Sequence, residues 1–147
     1  MKRVNIYAEA DTATFKKTGR WIGYVIELVD IEGNTVATCE GWMKVEDTWN
    51  GAILQAFTKA LSRMTKCCEI HLYTQNKVIL DMIDNNLDTW KKNEYRNSKG
   101  KPIRNAELWR SFAEGCSGHL ILPEDKGPHS YYHWMLDKMS REKQKTA

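Results

Sequence analysis

The 147-residue sequence contains few of the residues that break regular structure or cross-link a chain. Its three prolines and nine glycines exclude a collagen-like or low-complexity chain, and its 41% of hydrophobic residues exclude a disordered one. No apolar run approaches the length that a membrane-spanning helix needs, and the first residues, Met-Lys-Arg-Val-Asn, contain no apolar signal region. We therefore expect a soluble cytoplasmic protein without a membrane partner, forming a single domain over residues 1–147.

The sequence also has few cysteines, and their spacing gives no sign of a metal site. The four cysteines are Cys39, Cys67, Cys68 and Cys116. None of them forms the C-x-x-C pair that zinc sites and redox pairs favour, so we expect reduced thiols, with one of the adjacent Cys67 and Cys68 in the core and the other outside. His129 and His133 lack the neighbouring Glu of an H-E-x-x-H motif, and a zinc site is not expected there.

Positive charge is concentrated in one segment. The whole chain carries a formal net charge of +3, whereas residues 87–110 contain seven basic and three acidic residues, a net charge of +4. The remaining residues therefore sum to −1. The same 24 residues contain Trp90, Tyr95 and Trp109, of which Trp109 has the helical spacing of a core residue. Basic residues beside flat side chains are typical of surfaces that bind nucleic acid through its phosphates.

The first third of the sequence has the patterns of three antiparallel strands. Residues 4–8 alternate apolar and polar side chains, as in a half-buried strand. Residues 21–29 and 36–43 are rich in β-branched and aromatic residues, and the turn around Gly33-Asn34 is short enough to join antiparallel neighbours. We therefore predict a three-stranded antiparallel meander.

Helical and strand patterns alternate after the meander. Apolar residues at spacings of three and four over 53–64 predict a helix capped by Asp47 or Thr48. A strand at 69–74 follows, and then a second helical set that ends at Leu87. Because a helix separates the third and fourth strands, the fourth can run parallel to its neighbour, so the predicted sheet is mixed.

Residues 89–104 are polar, basic and broken by Gly100 and Pro102, without an apolar period. This pattern is typical of an excursion from the core. The predicted order is completed by a helix capped by Asn105, a short strand at 119–122, a helix capped by Ser130 and a frayed tail over 141–147.

This order of elements resembles that of the ribonuclease H family, bacterial type. The family's basic protrusion is matched in order and spacing by Trp90-Lys91-Lys92, Tyr95, Lys101-Pro102 and Asn105-Ala-Glu-Leu108-Trp109. With similar first, second and fourth strands, the resemblance covers roughly residues 3–122. It implies a ribonuclease H-like α/β fold: a five-stranded mixed sheet, an antiparallel meander and then parallel strands, flanked by helices, with a basic protrusion at about residues 87–105.

The resemblance also implies a chemistry that requires clustered carboxylates. The family hydrolyses the RNA strand of an RNA–DNA hybrid with two Mg²⁺ ions, which repel each other and need several anionic oxygen ligands at one place. The four positions that supply these carboxylates in the family correspond here to Glu9, Ile53, Gln75 and His133. Only Glu9 is acidic, and Asp11 and Asp137 are the nearest substitutes. We therefore expect no catalytic residues and no metal or other cofactor, with Glu9 as the one candidate metal ligand.

We predict a nucleic-acid-binding protein without hybrid-cleaving activity. The residues expected to contact an RNA–DNA hybrid or another duplex are Trp90, Lys91, Lys92, Tyr95, Arg96, Lys99, Lys101 and Arg104. One alternative is an active ribonuclease in which Glu9, Asp11 and Asp137, with Gln75 as a further ligand, hold one or two Mg²⁺ or Mn²⁺ ions in a divergent arrangement. A second alternative is a protein-interaction domain that docks a protein partner on the face around Ile53, and an exposed Ile53 would favour it.

Overall fold

The computed structural model describes residues 1–125 and 127–145. Its strands are β1 (Lys2–Ala10), β2 (Thr18–Val29), β3 (Thr35–Asp47), β4 (Cys68–Tyr73) and β5 (Leu120–Pro123). Its helices are α1 (Trp49–Leu61), α2 (Lys77–Asn85), α3 (Leu87–Lys92), α4 (Ala106–Cys116) and α5 (Tyr132–Lys145). Within these described ranges, no helix is long and apolar enough to span a bilayer.

The strands pair in the order β3-β2-β1-β4-β5. Strands β3, β2 and β1 are antiparallel neighbours, whereas β4 runs parallel to β1 and β5 parallel to β4, so the predicted mixed sheet is confirmed. Tyr7 of β1 lies level with Tyr73 of β4. Strand β4 ends there, whereas β1 continues to Ala10, so this register brings Glu9 next to the residues that follow β4.

Helix α1 covers one face of the sheet with apolar side chains. Thr48 caps the helix by accepting a hydrogen bond from the Gly51 N–H at 3.1 Å, which confirms one of the two predicted caps. Ile53 and Phe57 of α1 pack in the same core as Phe112 of α4, and all three are fully buried. Each such side chain contributes about 1.5–3 kcal/mol through burial, before the cost of ordering the chain.

Helix α5 covers the opposite face of the sheet. Met135 and Met139 are fully buried there against Tyr7 and Val25. Because the loop that leads into α5 crosses the C-terminal ends of β1 and β4, its side chains can reach the residues at those strand ends.

The structure differs from the predicted elements in four places. Strand β1, predicted to be half-buried, is buried on both faces from Val4 to Ala10, because α5 covers the face that carries its polar side chains. Helix α3 continues to Lys92, so the irregular excursion begins later than predicted. Asn105 occupies the predicted N-cap position of α4, but it has φ +60° and its side chain makes no capping hydrogen bond. Residues 141–145, predicted to be frayed, are helical and are supported by i,i+4 ion pairs such as Lys138–Glu142. Residues 146 and 147 of that predicted tail lie outside the described residues.

Candidate functional site

Glu9, near the end of β1, is a carboxylate buried inside the protein. Its side chain is 2% exposed, and its Oε2 accepts hydrogen bonds from the Gln75 backbone N–H at 2.9 Å and from the His129 ring at 2.7 Å. Thr74 supplies a further side-chain hydrogen bond. Burial raises the pKa of Glu9 above its ordinary value of 4.5, and the hydrogen bonds from His129, Gln75 and Thr74 offset only part of that rise.

The geometry around His129 assigns its proton. The ring Nδ1 accepts a hydrogen bond from the Tyr131 backbone N–H at 3.2 Å, so Nδ1 carries no proton and Nε2 donates to Glu9. The imidazole is also packed against Tyr7, with ring centroids 4.9 Å apart, and its side chain is 2% exposed. Glu9 is therefore closed off from solvent by a ring from the loop before α5, a contact that the sequence did not predict.

The other three positions aligned with family ligands offer no negative charge near Glu9. Ile53 is fully buried in the core, so the exposed Ile53 that would favour a protein-docking face is not found. Gln75 meets Glu9 through its backbone, while its side-chain Nε2 is buried without a hydrogen-bond partner in the described part of the chain. His133 is exposed on α5, and its ring contacts Tyr132.

The two substitute carboxylates are engaged elsewhere. Asp11 accepts a hydrogen bond from the Trp21 backbone N–H at 3.1 Å, which fixes the start of the β1–β2 loop. Asp137 is exposed on α5 and pairs with Arg141. Among residues 1–125 and 127–145, no three side chains of His, Cys, Asp or Glu are arranged to hold a metal ion.

These residues do not fit a pair of Mg²⁺ ions. Two divalent cations at one site need several hard anionic oxygens, and the aligned positions supply a single carboxylate. That carboxylate is buried and already accepts hydrogen bonds from His129 and Gln75. In this arrangement the buried Glu9 carboxylate is satisfied by N–H donors of the protein itself.

A second buried carboxylate, Glu27 of β2, holds the loop before α5 through a hydrogen bond from Tyr131. It accepts hydrogen bonds from Asn5 (2.9 Å), Tyr7 (2.8 Å), Thr35 (2.7 Å) and Tyr131 (3.0 Å). Burial acts to raise the pKa of Glu27, but these hydrogen bonds outweigh it and the pKa is lowered. Burial and the nearby Glu27 raise the pKa of Tyr7. The polar side chains that alternate along β1 were the sequence signal for this network, although they did not identify its partners.

The basic protrusion (residues 87–105) carries exposed cations on an ordered loop. Asn97 accepts hydrogen bonds from the backbone N–H groups of Lys99 and Lys101, both at 3.0 Å, and Arg96 donates to the Gly100 carbonyl at 2.9 Å. All of the predicted cationic contacts are exposed: Lys91, Lys92, Arg96, Lys99, Lys101 and Arg104.

The aromatic residues of this segment anchor it to the core. Tyr95 is only 6% exposed and Arg110 lies over its ring at 4.9 Å, so the prediction that Tyr95 offers a flat surface to a ligand is wrong. Trp90 is partly buried against Trp109, with ring centroids 5.0 Å apart. Trp109 itself is 2% exposed, as predicted for a core residue.

Sequence comparisons match this chain to a family model and to relatives that are all described as ribonuclease H. A family model described as RNase H matches residues 1–122. The ribonuclease H of Rhizobium etli is 32% identical over 121 residues, which cover 82% of this chain and 76% of that protein. The ribonuclease H of Brucella ovis is 29% identical over 135 residues, covering 92% of this chain and 78% of that protein.

Solved structures share the fold at low sequence identity. LC9-RNase H1, a type 1 RNase H with the type 2 active-site motif, superposes with a TM-score of 0.73 at 16% identity, over 97% of this chain and 70% of that one. LC11-RNase H1, solved in complex with an RNA/DNA hybrid, gives a TM-score of 0.60 at 16% identity, over 95% and 98% of the two chains. With the family model matching residues 1–122, the chain belongs to the RNase H family.

Proposed function

We propose that this chain is a nucleic-acid-binding member of the RNase H family that holds an RNA–DNA hybrid or another duplex and does not cleave it. The observation that carries this proposal is the state of Glu9. It is the only carboxylate at the four aligned positions, and it is buried beneath His129 at 2.7 Å.

The electrostatics of the site support the absence of cleavage. In a two-metal mechanism the cations are held by several converging negative charges. Removing any of these charges weakens cation binding steeply. Ile53 lies in the apolar core and Gln75 is neutral, so neither can replace a lost charge. A divalent ion at Glu9 would also have to displace a ring that is itself packed against Tyr7.

The basic protrusion supports binding to the phosphate backbone. Its six exposed cations lie on a loop whose conformation is fixed by the Asn97 hydrogen bonds, so their spacing is held before a ligand arrives. Binding that neutralises four or five phosphates of a duplex would give a log–log salt slope of about −4. Contacts to phosphates carry no base information, so we expect little sequence preference.

Cleavage is tested with a labelled RNA–DNA hybrid in Mg²⁺ and, separately, in Mn²⁺. We expect the hybrid to remain intact with the wild-type protein. The matched variant is Glu9→Gln, which keeps the shape of the side chain and removes its charge. Cleavage by the wild type that disappears in Glu9→Gln would contradict the proposal, whereas cleavage of equal rate in both would indicate a contaminating nuclease.

Binding is tested by fluorescence anisotropy over a range of salt concentrations. The variant Lys92→Ala/Lys101→Ala should bind a hybrid more weakly and reduce the magnitude of the salt slope by about 2, since each lysine that contacts a phosphate contributes about 1. The control Lys59→Ala/Lys66→Ala removes two exposed lysines outside the basic protrusion, so its net charge equals that of Lys92→Ala/Lys101→Ala. Equal losses in the two variants would show that overall charge, not the basic protrusion, governs binding.

A further inference from the structure

The loop between β1 and β2 presents an aromatic side chain to solvent. Phe15 is 62% exposed, in a loop whose other residues are polar except for Ala13. A single exposed apolar residue is ordinary on a protein surface. What distinguishes Phe15 is that the loop around it is held in place from inside the protein.

The anchor of this loop is Arg20, whose side chain is buried with 1% exposure. Its guanidinium donates to the Thr12 carbonyl at 2.8 Å and to the Lys16 carbonyl at 2.7 Å, on the two sides of Phe15. A third bond reaches the Asp47 carbonyl at 3.1 Å. Burying a guanidinium is costly unless its donors are satisfied, so these bonds fix the backbone on both sides of Phe15. All three acceptors are backbone carbonyls, and a fourth contact reaches the Thr14 hydroxyl at 3.4 Å.

The Phe15 ring is supported by Trp49, the first residue of α1. The two rings form a T-shaped contact, with centroids 5.7 Å apart and an interplanar angle of 62°. Such a contact uses at most one face of the Phe15 ring, so with 62% of the residue exposed another flat group can stack on the other face. Lys16 and Lys17 are exposed next to it, and neither forms an ion pair with any described residue. The loop therefore combines an open aromatic face with two unpaired cations.

This surface is continuous with the basic protrusion. Asn50, which follows Trp49, lines a cavity of about 90 Å³ together with Ile103, Arg104 and Asn105 from the end of the protrusion. The first turn of α1 thus bridges the two basic surfaces. Arg104 therefore lies beside the first turn of α1, whose first residue, Trp49, contacts Phe15.

We propose that Phe15 stacks on an unpaired base of a nucleic-acid strand held by the basic protrusion, while Lys16 and Lys17 contact phosphates of that strand. This inference rests on the proposed nucleic-acid binding. It names an unpaired base because the faces of bases inside a duplex are covered by their neighbours, whereas an overhanging base offers a face to an aromatic ring. The surface thus favours duplexes with single-stranded overhangs over blunt ones.

The test compares the binding of labelled RNA–DNA hybrids with blunt ends and with single-stranded overhangs. We expect the wild type to bind the overhanging hybrid more tightly, and Phe15→Ala to weaken that binding by about 5- to 150-fold, the range measured for loss of one base–aromatic stack. Blunt-hybrid affinity and the salt slope should stay unchanged in Phe15→Ala. Phe15→Trp keeps a flat ring and should retain the preference, whereas an overhang of abasic nucleotides should abolish it in the wild type.

The control is Ile31→Ala, which removes another exposed apolar side chain from a different loop, between β2 and β3. Since Phe15 and Ile31 are both exposed, we expect neither variant to change the unfolding temperature. If Phe15→Ala binds the overhanging hybrid as tightly as the wild type does, or if the wild type shows no preference for the overhang, the stacking inference is wrong and the proposed function stands. If the wild type binds neither hybrid at low salt, the proposed function fails and the inference fails with it.

Discussion

Removing the imidazole that covers Glu9 is the most direct perturbation of the site. In His129→Ala the carboxylate keeps its hydrogen bonds from the Gln75 N–H and from Thr74, but it loses the donor at 2.7 Å. Leaving a buried acceptor without its donor typically costs roughly 1–3 kcal/mol, and more for a charged group. We expect a loss of about 3 kcal/mol at pH 7, at the upper end of that range because the acceptor is a carboxylate, and no more because two donors remain and Glu9 can take up a proton.

The double variant Glu9→Gln/His129→Ala separates this electrostatic cost from the loss of packing. Without a buried charge, the removal of the imidazole should cost less, so we expect a coupling energy of about 1–3 kcal/mol between the two positions. Urea unfolding of the wild type, the two single variants and the double variant measures it.

The pH dependence of the coupling energy has a defined sign. Burial raises the folded-state pKa of Glu9 above 4.5, so its proton binds more tightly in the folded protein than in the unfolded one. The stability that this proton contributes is present below pH 4.5 and is lost as the pH rises through the folded pKa. The coupling to His129 should therefore shrink as the pH is lowered from 7 towards 4.5. Strictly additive costs, or a coupling energy independent of pH, would refute this account of the pair.

Two further predictions concern other buried groups. The pKa of Glu27 is lowered because its hydrogen bonds outweigh the effect of burial, so its contribution is present above pH 4.5 and is lost as the pH falls through the folded pKa. Glu27→Gln should cost about 1–3 kcal/mol at pH 7 and much less in acid, by urea unfolding. Burial raises the pKa of Cys116 to about 12, whereas Cys67 is exposed. Alkylation of the native protein at pH 8, read by mass spectrometry, should therefore modify Cys67 and leave Cys116 intact.

The sequence predicted the elements whose signals are local. The alternation along β1, the turn at Gly33 and the cap at Thr48 each act within a few residues. The strand, the turn and the cap are all found in the structure. The half-burial of β1 that the alternation predicted is wrong, because α5 covers its polar face from a distant part of the chain. The last turns of α5 were missed because residues 141–145 contain no apolar residue to set a helical period. Side-chain ion pairs one helical turn apart stabilise that segment, and they are a weaker signal than a buried stripe.

The site was only half predictable, for a reason that lies in the chemistry of Glu9. Its neighbour Gln75 follows from the pairing of β1 with β4, whereas His129 lies 120 positions away in a loop that no period or spacing marks. A carboxylate buried without cations must take up a proton or find donors, because an unsatisfied charge in the interior is costly. Ile53 and Gln75 bring no charge that could hold a cation beside Glu9, so its carboxylate depends on N–H donors of the protein. The His129 imidazole is such a donor, and it covers the carboxylate at 2.7 Å.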